Sequence, residues 1–224
     1  MTVLPALDDY RIVFVVDPMA GITADQPALQ AFHDAGGTLV LVGECAQWTG
    51  KANSTINELL TKLGSPLQIV TDSKEPDASC TQFVAQPSAS PMMAGVDGLK
   101  FAWSSTVTAP SSQVLATYNG DVIAAGDPSA RVFVVGDANV FLDECSFTPT
   151  GNDAFIANLW SASAPSVSGS DTGSDGDGGM ASSGCHTSNG VGGGSIALVA
   201  LVGLGLQRRR RKVPERITRH SQTP

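Results

Sequence analysis

Arg11-Ile-Val-Phe-Val-Val16 and Thr38-Leu-Val-Leu-Val42 are the stretches whose reading decides the fold. Both are continuous apolar runs rich in β-branched residues, the pattern of strands covered on both faces. Between them Pro18 to Ile22 turns the chain, and Thr23-Ala-Asp-Gln26 reads as a capping box, a hydroxyl for one orphan amide with Gln three residues on. The helix so opened carries Leu29 and Phe32 and stops at Gly36-Gly37. Working outward, Ser54 to Leu63 reads as a helix ending at Gly64, and Leu67 to Val70 as a short strand. Gln113 to Thr117 and Asp121 to Ala125, split by Asn119-Gly120, form a hairpin. Arg131-Val-Phe-Val-Val135 is a last buried strand and Asp153 to Trp160 a closing helix. Residues 71–110, rich in Pro, Ser and Ala, give no clear element. The alternation predicts an α/β domain with an open, mostly parallel, doubly wound sheet of the flavodoxin-like kind.

Charge divides the chain into unlike parts. Residues 1–160 hold 17 Asp/Glu against 6 Lys/Arg, whereas from Cys185 onward there are 7 Lys/Arg and one Glu. So acidic a body repels phosphate backbones, and nucleic acid is not expected as a partner. Trp160 is the clearest boundary. Beyond it, residues 161–184 are Ser, Gly and Asp with few apolar side chains to offset the entropy of ordering, which predicts a disordered linker. No internal repeat is evident.

Three features then follow in fixed order: Gly184-Cys185, the uncharged and mostly apolar run 191–206, and Arg208, Arg209, Arg210, Arg211 and Lys212 in succession. A spanning helix needs about 20 apolar residues, so this 16-residue run is a marginal permanent anchor. A basic cluster stays on the cytoplasmic side, which puts linker and body outside the membrane and residues 213–224 in a cytoplasmic tail. Residues 179–212 resemble the MYXO-CTERM sorting signal of myxobacterial surface proteins. The resemblance implies sorting by a membrane-embedded protease, with Cys185 as the residue around which processing and surface attachment occur. Residues 213–224, the His186-Thr187 step and Gly192-Gly193-Gly194 depart from the usual signal. Localisation is accordingly expected at the cell envelope, surface-exposed and held through the tail. Export calls for an N-terminal signal with a charged start and an apolar stretch, and Met1 to Tyr10 has neither. A late start to the reading frame is therefore expected.

Strand, Asp17-Pro18, helix, Gly36-Gly37, strand and Gly43, with Val134-Val-Gly-Asp137 later, resembles the class I glutamine-amidotransferase-like family over about residues 10–160. Gly136-Asp137-Ala-Asn139-Val-Phe141 through Asn152 and Phe155 to Asn158 carries most of that likeness, which is nearest the family's non-catalytic branch. It implies a strand–helix unit ahead of Arg11, lacking here. In the catalytic branch a nucleophilic Cys sits on a tight turn after a strand, where Gly43-Glu44-Cys45 stands. A thiolate needs a base, usually His. The only His in the body is His33, on the first helix, and Ala46-Gln47 replaces the small-residue pair of a nucleophile elbow.

Asp17, Asp137, Asn139, Asp143 and Glu144 crowd the C-terminal ends of strands, where open α/β sheets bind ligands. Oxygen groups at such spacing are able to hold Ca²⁺ or Mg²⁺, but they follow no calcium-loop pattern, and capping roles account for them. No phosphate loop and no CxxC is present, so no cofactor and no structural metal are expected. Cys45, Cys80 and Cys145 allow one disulfide in three ways, and loop closure favours Cys80–Cys145. Two classes of function remain. One is a non-catalytic surface domain that binds a partner or glycan. The other is a hydrolase, with Cys45 as nucleophile or a metal held by Asp137, Asp143 and Glu144.

Overall fold

The computed structural model describes residues 6–74, 83–141 and 150–163. The chain runs β1 (Ile12–Val16), α1 (Gln26–Asp34), β2 (Thr38–Val42), α2 (Ala52–Lys62), β3 (Gln68–Lys74), β4 (Phe83–Pro87), β5 (Leu99–Phe101) and β6 (Ser104–Thr108). It continues through β7 (Val114–Tyr118), β8 (Asp121–Asp127), β9 (Val132–Val135) and α3 (Thr150–Ala162). Seven strands form one sheet in the order β1-β2-β9-β8-β7-β4-β5, and β3 and β6 make a separate antiparallel ribbon.

The three apolar runs do lie side by side in parallel, with Val16 opposite Val42 and Val42 opposite Val135. The rest of the expected sheet is overturned. The pairings β9–β8, β8–β7, β7–β4 and β4–β5 are all antiparallel. The sheet is therefore mixed, and is not an open, mostly parallel doubly wound sheet. The physical reason lies in residues 71–110. They supply β4, β5, β6 and half of β3, short strands in which polar and half-exposed positions interrupt the apolar ones. Such strands pair antiparallel at sheet edges, where one face stays wet. Register shifts along β7–β8, on either side of Ala116, add the local bend and twist that bulges bring.

Side-chain alternation splits the core between the two faces of the sheet. Val13, Val15, Leu39, Leu41, Val132 and Val134 pack with Leu29, Phe32, Ile56, Leu59 and Leu60 of α1 and α2, and with Ile69 and Val107 of the ribbon. Phe14, Val40, Val42, Phe133 and Val135 turn the other way, toward Phe155 and Leu159 of α3. Each large side chain buried this way contributes about 1.5–3 kcal/mol of transfer free energy.

Two local expectations have opposite outcomes. Asn119 and Gly120 join β7 to β8 with φ of +50° and +89°, the left-handed pair that a two-residue hairpin turn demands. The capping box does not form: the N-cap of α1 is Asp25, without a side-chain cap. Gln26 is buried instead, donating to the Thr55 carbonyl at 2.9 Å and accepting from Lys62 Nζ at 2.5 Å. Its side chain is used to join α1 to α2 and is not available to the helix start.

Candidate functional site

Because β1, β2 and β9 are parallel, the residues that follow them emerge on one edge of the sheet. The Asp17 amide donates to the Val42 carbonyl and the Gly43 amide to the Val135 carbonyl, each at 2.9 Å, so the three strand ends are tied level. Asp17 follows β1 with φ of +36°, Glu44 stands two residues beyond β2, and Asp137 two residues beyond β9. The edge expected from sequence thus gathers Asp17, Asp137 and Asn139, while Asp143 and Glu144 lie outside the described residues. In the sequence Glu44 stands out only as the neighbour of Cys45. Its offset from a buried strand, the same as that of Asp137, was the signal available.

Asp137 is wholly buried and its oxygens serve the fold. Oδ2 accepts the Ala102 amide at 2.6 Å. Oδ1 accepts the amide and Nδ2 of Asn139 at 2.8 and 2.9 Å, capping the 3₁₀ turn Ala138–Val140. Asn139 Nδ2 also donates to the Ala102 carbonyl at 3.1 Å. Both residues therefore clamp the turn between β5 and β6. Glu44 is fixed by its backbone. Its amide donates to Asn53 Oδ1 at 3.0 Å, and its carbonyl accepts from Asn53 Nδ2 at 2.7 Å and Ser105 Oγ at 2.8 Å. Glu44 Oε1 in turn accepts the Cys45 amide at 2.8 Å.

Burial pushes the Glu44 carboxyl up to about 9, and the charges of Asp137 and Asp17 push the same way. Burial also lifts Asp137, to about 7, against the N–H groups of Asn139 and Ala102 that favour its charged form. Among the described residues no group of three His, Cys, Asp or Glu side chains is arranged to hold a metal ion. Of the metal set Asp137, Asp143 and Glu144, only Asp137 is among the described residues, and its two oxygens accept N–H donors.

Cys45 sits just past β2, as a nucleophile would, but its chemistry is wrong for the role. It is fully buried, and burial together with the Glu44 charge pushes its thiol up to about 11. Its Sγ donates to Gln47 Oε1 at 3.4 Å. His33 is at the other end of the sheet. Its Nε2 lies 2.7 Å from the carbonyl of Ala130, in the turn that leads into the start of β9. The thiol and the imidazole are thus placed at opposite edges.

The feature that sequence reasoning missed is aromatic. Trp48, in the loop after β2, and Trp103, in the β5–β6 turn, stack with ring centroids 5.9 Å apart and planes inclined by 17°. Trp48 is 49% exposed, and Met19 in the neighbouring β1–α1 loop is 45% exposed. The Met19 carbonyl accepts the Lys51 amide at 2.9 Å, which ties those two loops together. Trp103 has φ of +59°, an unusual conformation for a bulky residue, and its indole N–H is buried without an acceptor among the described residues. No sequence spacing marks this pair, since 54 residues separate the two rings and only the folded edge brings them together.

Gly184, Cys185, Arg208, Arg209, Arg210, Arg211 and the run 191–206 lie outside the described residues, as do Cys80 and Cys145. Among the described residues no helix is long and apolar enough to cross a membrane.

No protein-family model matches the chain. No curated protein matches it either. A solved structure described as "mmIFT52 N-terminal domain" is similar at 14% identity and a TM-score of 0.47, covering 70% of this chain and 75% of that one.

Proposed function

We propose that this chain is a non-catalytic glycan-binding domain displayed at the cell surface by its C-terminal tail. The observation that carries the binding half is the stacked pair of Trp48 and Trp103 on the carboxyl edge of the parallel strands. Exposed apolar side chains clustered at one edge mark interaction sites, and Trp is among the residues most often found as binding anchors. An indole face takes the C–H face of a sugar ring, and the polar groups around it orient hydroxyls. Gln47, next to Trp48 in the same loop, is the polar side chain at hand. The burial and raised thiol of Cys45, with His33 at the far edge, support a non-catalytic role.

The surface half rests on the order of Gly184-Cys185, the apolar run 191–206 and the arginines. In this reading the membrane-embedded sorting protease acts around Cys185 while the Arg cluster is still cytoplasmic. Replacement of Cys185 by Ala tests it: the variant should fold normally and lose surface retention. Retention at the wild-type level with unchanged mass would refute the sorting role.

A further inference from the structure

Trp48 lies in the loop between β2 and α2, and Trp103 immediately precedes β6. The two segments meet at one backbone group, the carbonyl of Glu44. Asn53 Nδ2, from the first turn of α2, donates to it at 2.7 Å. Ser105 Oγ, two residues beyond Trp103, donates to it at 2.8 Å. The two side chains also bond each other, Asn53 Nδ2 donating to Ser105 Oγ at 3.1 Å. Asn53 is 1% exposed and Ser105 not at all.

Asn53 closes the Trp48 loop from both ends. Its Oδ1 accepts the Glu44 amide at 3.0 Å, and its own amide donates to Thr49 Oγ1 at 3.0 Å. Between those anchors the Cys45 carbonyl accepts the amides of Trp48 and Thr49. Gly43 leaves the room that the carboxamide occupies, since a Cβ there would run into Asn53 Oδ1. Ser105 does the corresponding work for Trp103. Its amide donates to the Gly136 carbonyl at 2.8 Å, beyond the end of β9. Its hydroxyl also lies 3.1 Å from the Asp72 carbonyl, which accepts the Ala46 amide of the Trp48 loop.

We infer that Asn53 and Ser105 are the positioning residues of the Trp48–Trp103 platform, holding its two rings in a preformed stack through their shared bonds to the Glu44 carbonyl.

Neither bond is needed to dock the element that carries it. Ile56, Leu59 and Leu60 pack α2 against the sheet, and Asn57, one turn on, accepts the Ile69 amide and donates to the Ile69 carbonyl, each at 2.8 Å. β6 is held by its pairing with β3. What Asn53 and Ser105 add is the register between the two ring-bearing segments. A buried polar network whose members are all satisfied fixes one arrangement. The φ of +59° at Trp103 calls for such support, because a bulky residue keeps that conformation only where its surroundings impose it. Rings held in place before a ligand arrives spare it the cost of ordering them.

The inference rests on the glycan reading only for what the platform is used for. Its test is the exciton circular-dichroism band of the stacked indoles, recorded on the full chain with no ligand present, with far-ultraviolet circular dichroism reporting the fold. Trp48→Phe identifies the band by abolishing it. Asn53→Ala and Ser105→Ala should each fold and lose most of the band. Two controls remove bonds from the same helix and the same strand: Asn57→Ala, and Ser104→Ala, whose buried hydroxyl donates to the Ser105 carbonyl at 2.8 Å. Both should lower the thermal midpoint and keep the band. Should Asn53→Ala and Ser105→Ala fail to fold, Ser105→Cys decides, because it keeps the side chain's shape and weakens its donor; it should fold and lose part of the band. A wild-type band in any folded Asn53 or Ser105 variant, an equal loss in the two controls, or no band in the wild type would overturn the inference. Because no ligand is present, failure to bind glycan bears on the use of the platform and leaves this outcome readable.

Discussion

Asp137 holds Ala102 across 35 residues of chain: its Oδ2 accepts the Ala102 amide at 2.6 Å from a position with no exposure to solvent. This single contact fastens the end of β9 to the β5–β6 turn. It explains why a carboxyl that looked like a ligand group in the sequence belongs to the framework of the edge.

Asp137→Ala leaves the amides of Ala102 and Asn139 without their acceptor. Unmatched buried donors cost about 1–3 kcal/mol each, so the variant should lose on the order of 2–4 kcal/mol of stability. Urea unfolding followed by far-ultraviolet circular dichroism measures it. A loss below about 0.5 kcal/mol, the usual limit for surface changes, would mean that the clamp does not form.

Gly136 offers a second test of the same junction. A Cβ there would run into the Ser105 carbonyl oxygen, and the Ser105 amide donates to the Gly136 carbonyl at 2.8 Å. Gly136→Ala should therefore cost about 1–3 kcal/mol, the range of overpacked cores, with a matching fall in thermal midpoint. Gly64→Ala meets no neighbouring atom. Its cost should be smaller and should come from its positive φ alone.

The raised carboxyl of Glu44 makes stability fall with rising pH. The folded state binds a proton that the unfolded chain releases near 4.5, and holds it up to about 9. The associated stability is complete below the lower value and is lost progressively as pH climbs through the higher one. Asp137 adds a slope of the same sign between 3.8 and about 7. Unfolding free energies measured from pH 5 to 9 should decline, and Glu44→Gln should flatten the upper part of that decline. Stability that rises over pH 7 to 9 in the wild type would contradict the assignment.

Cys45 should be inert. A thiol pushed up to about 11 and fully buried should resist iodoacetamide at pH 8 in the folded protein and react readily in urea. Rapid alkylation of the native state, with a titration midpoint below the ordinary thiol value, would reopen the hydrolase reading.

The legible parts of this fold were those in which burial is continuous. Ile12–Val16, Thr38–Val42 and Val132–Val135 are buried at every position, and a run without polar interruption announces itself. Asn119-Gly120 was legible because only a few residue types accept two successive positive φ angles. Of β3 only the start, Leu67 to Val70, was legible, and β4 was not, since beyond one buried residue in each they carry Thr, Asp, Ser, Gln and Pro at half-wet or exposed positions. With no element evident over residues 71–110, the mostly antiparallel character of the sheet stayed hidden. In the site, Asp17 and Asp137 were found by following strands to their ends. The Trp48–Trp103 stack was not, because it depends on which turn returns to which loop.

Glycan binding by the edge of the sheet is the central claim, and an oligosaccharide array probed with the full chain tests it most directly. The array is run beside Trp48→Ala, a half-exposed position whose loss should leave the fold intact. Stacking on an anchoring aromatic carries about 1–3 kcal/mol. The account predicts a defined subset of sugars bound by the wild type and at least about a tenfold loss in Trp48→Ala, since 1.4 kcal/mol corresponds to a factor of about ten. Equal binding by wild type and variant, or no sugar bound by the wild type, would contradict it.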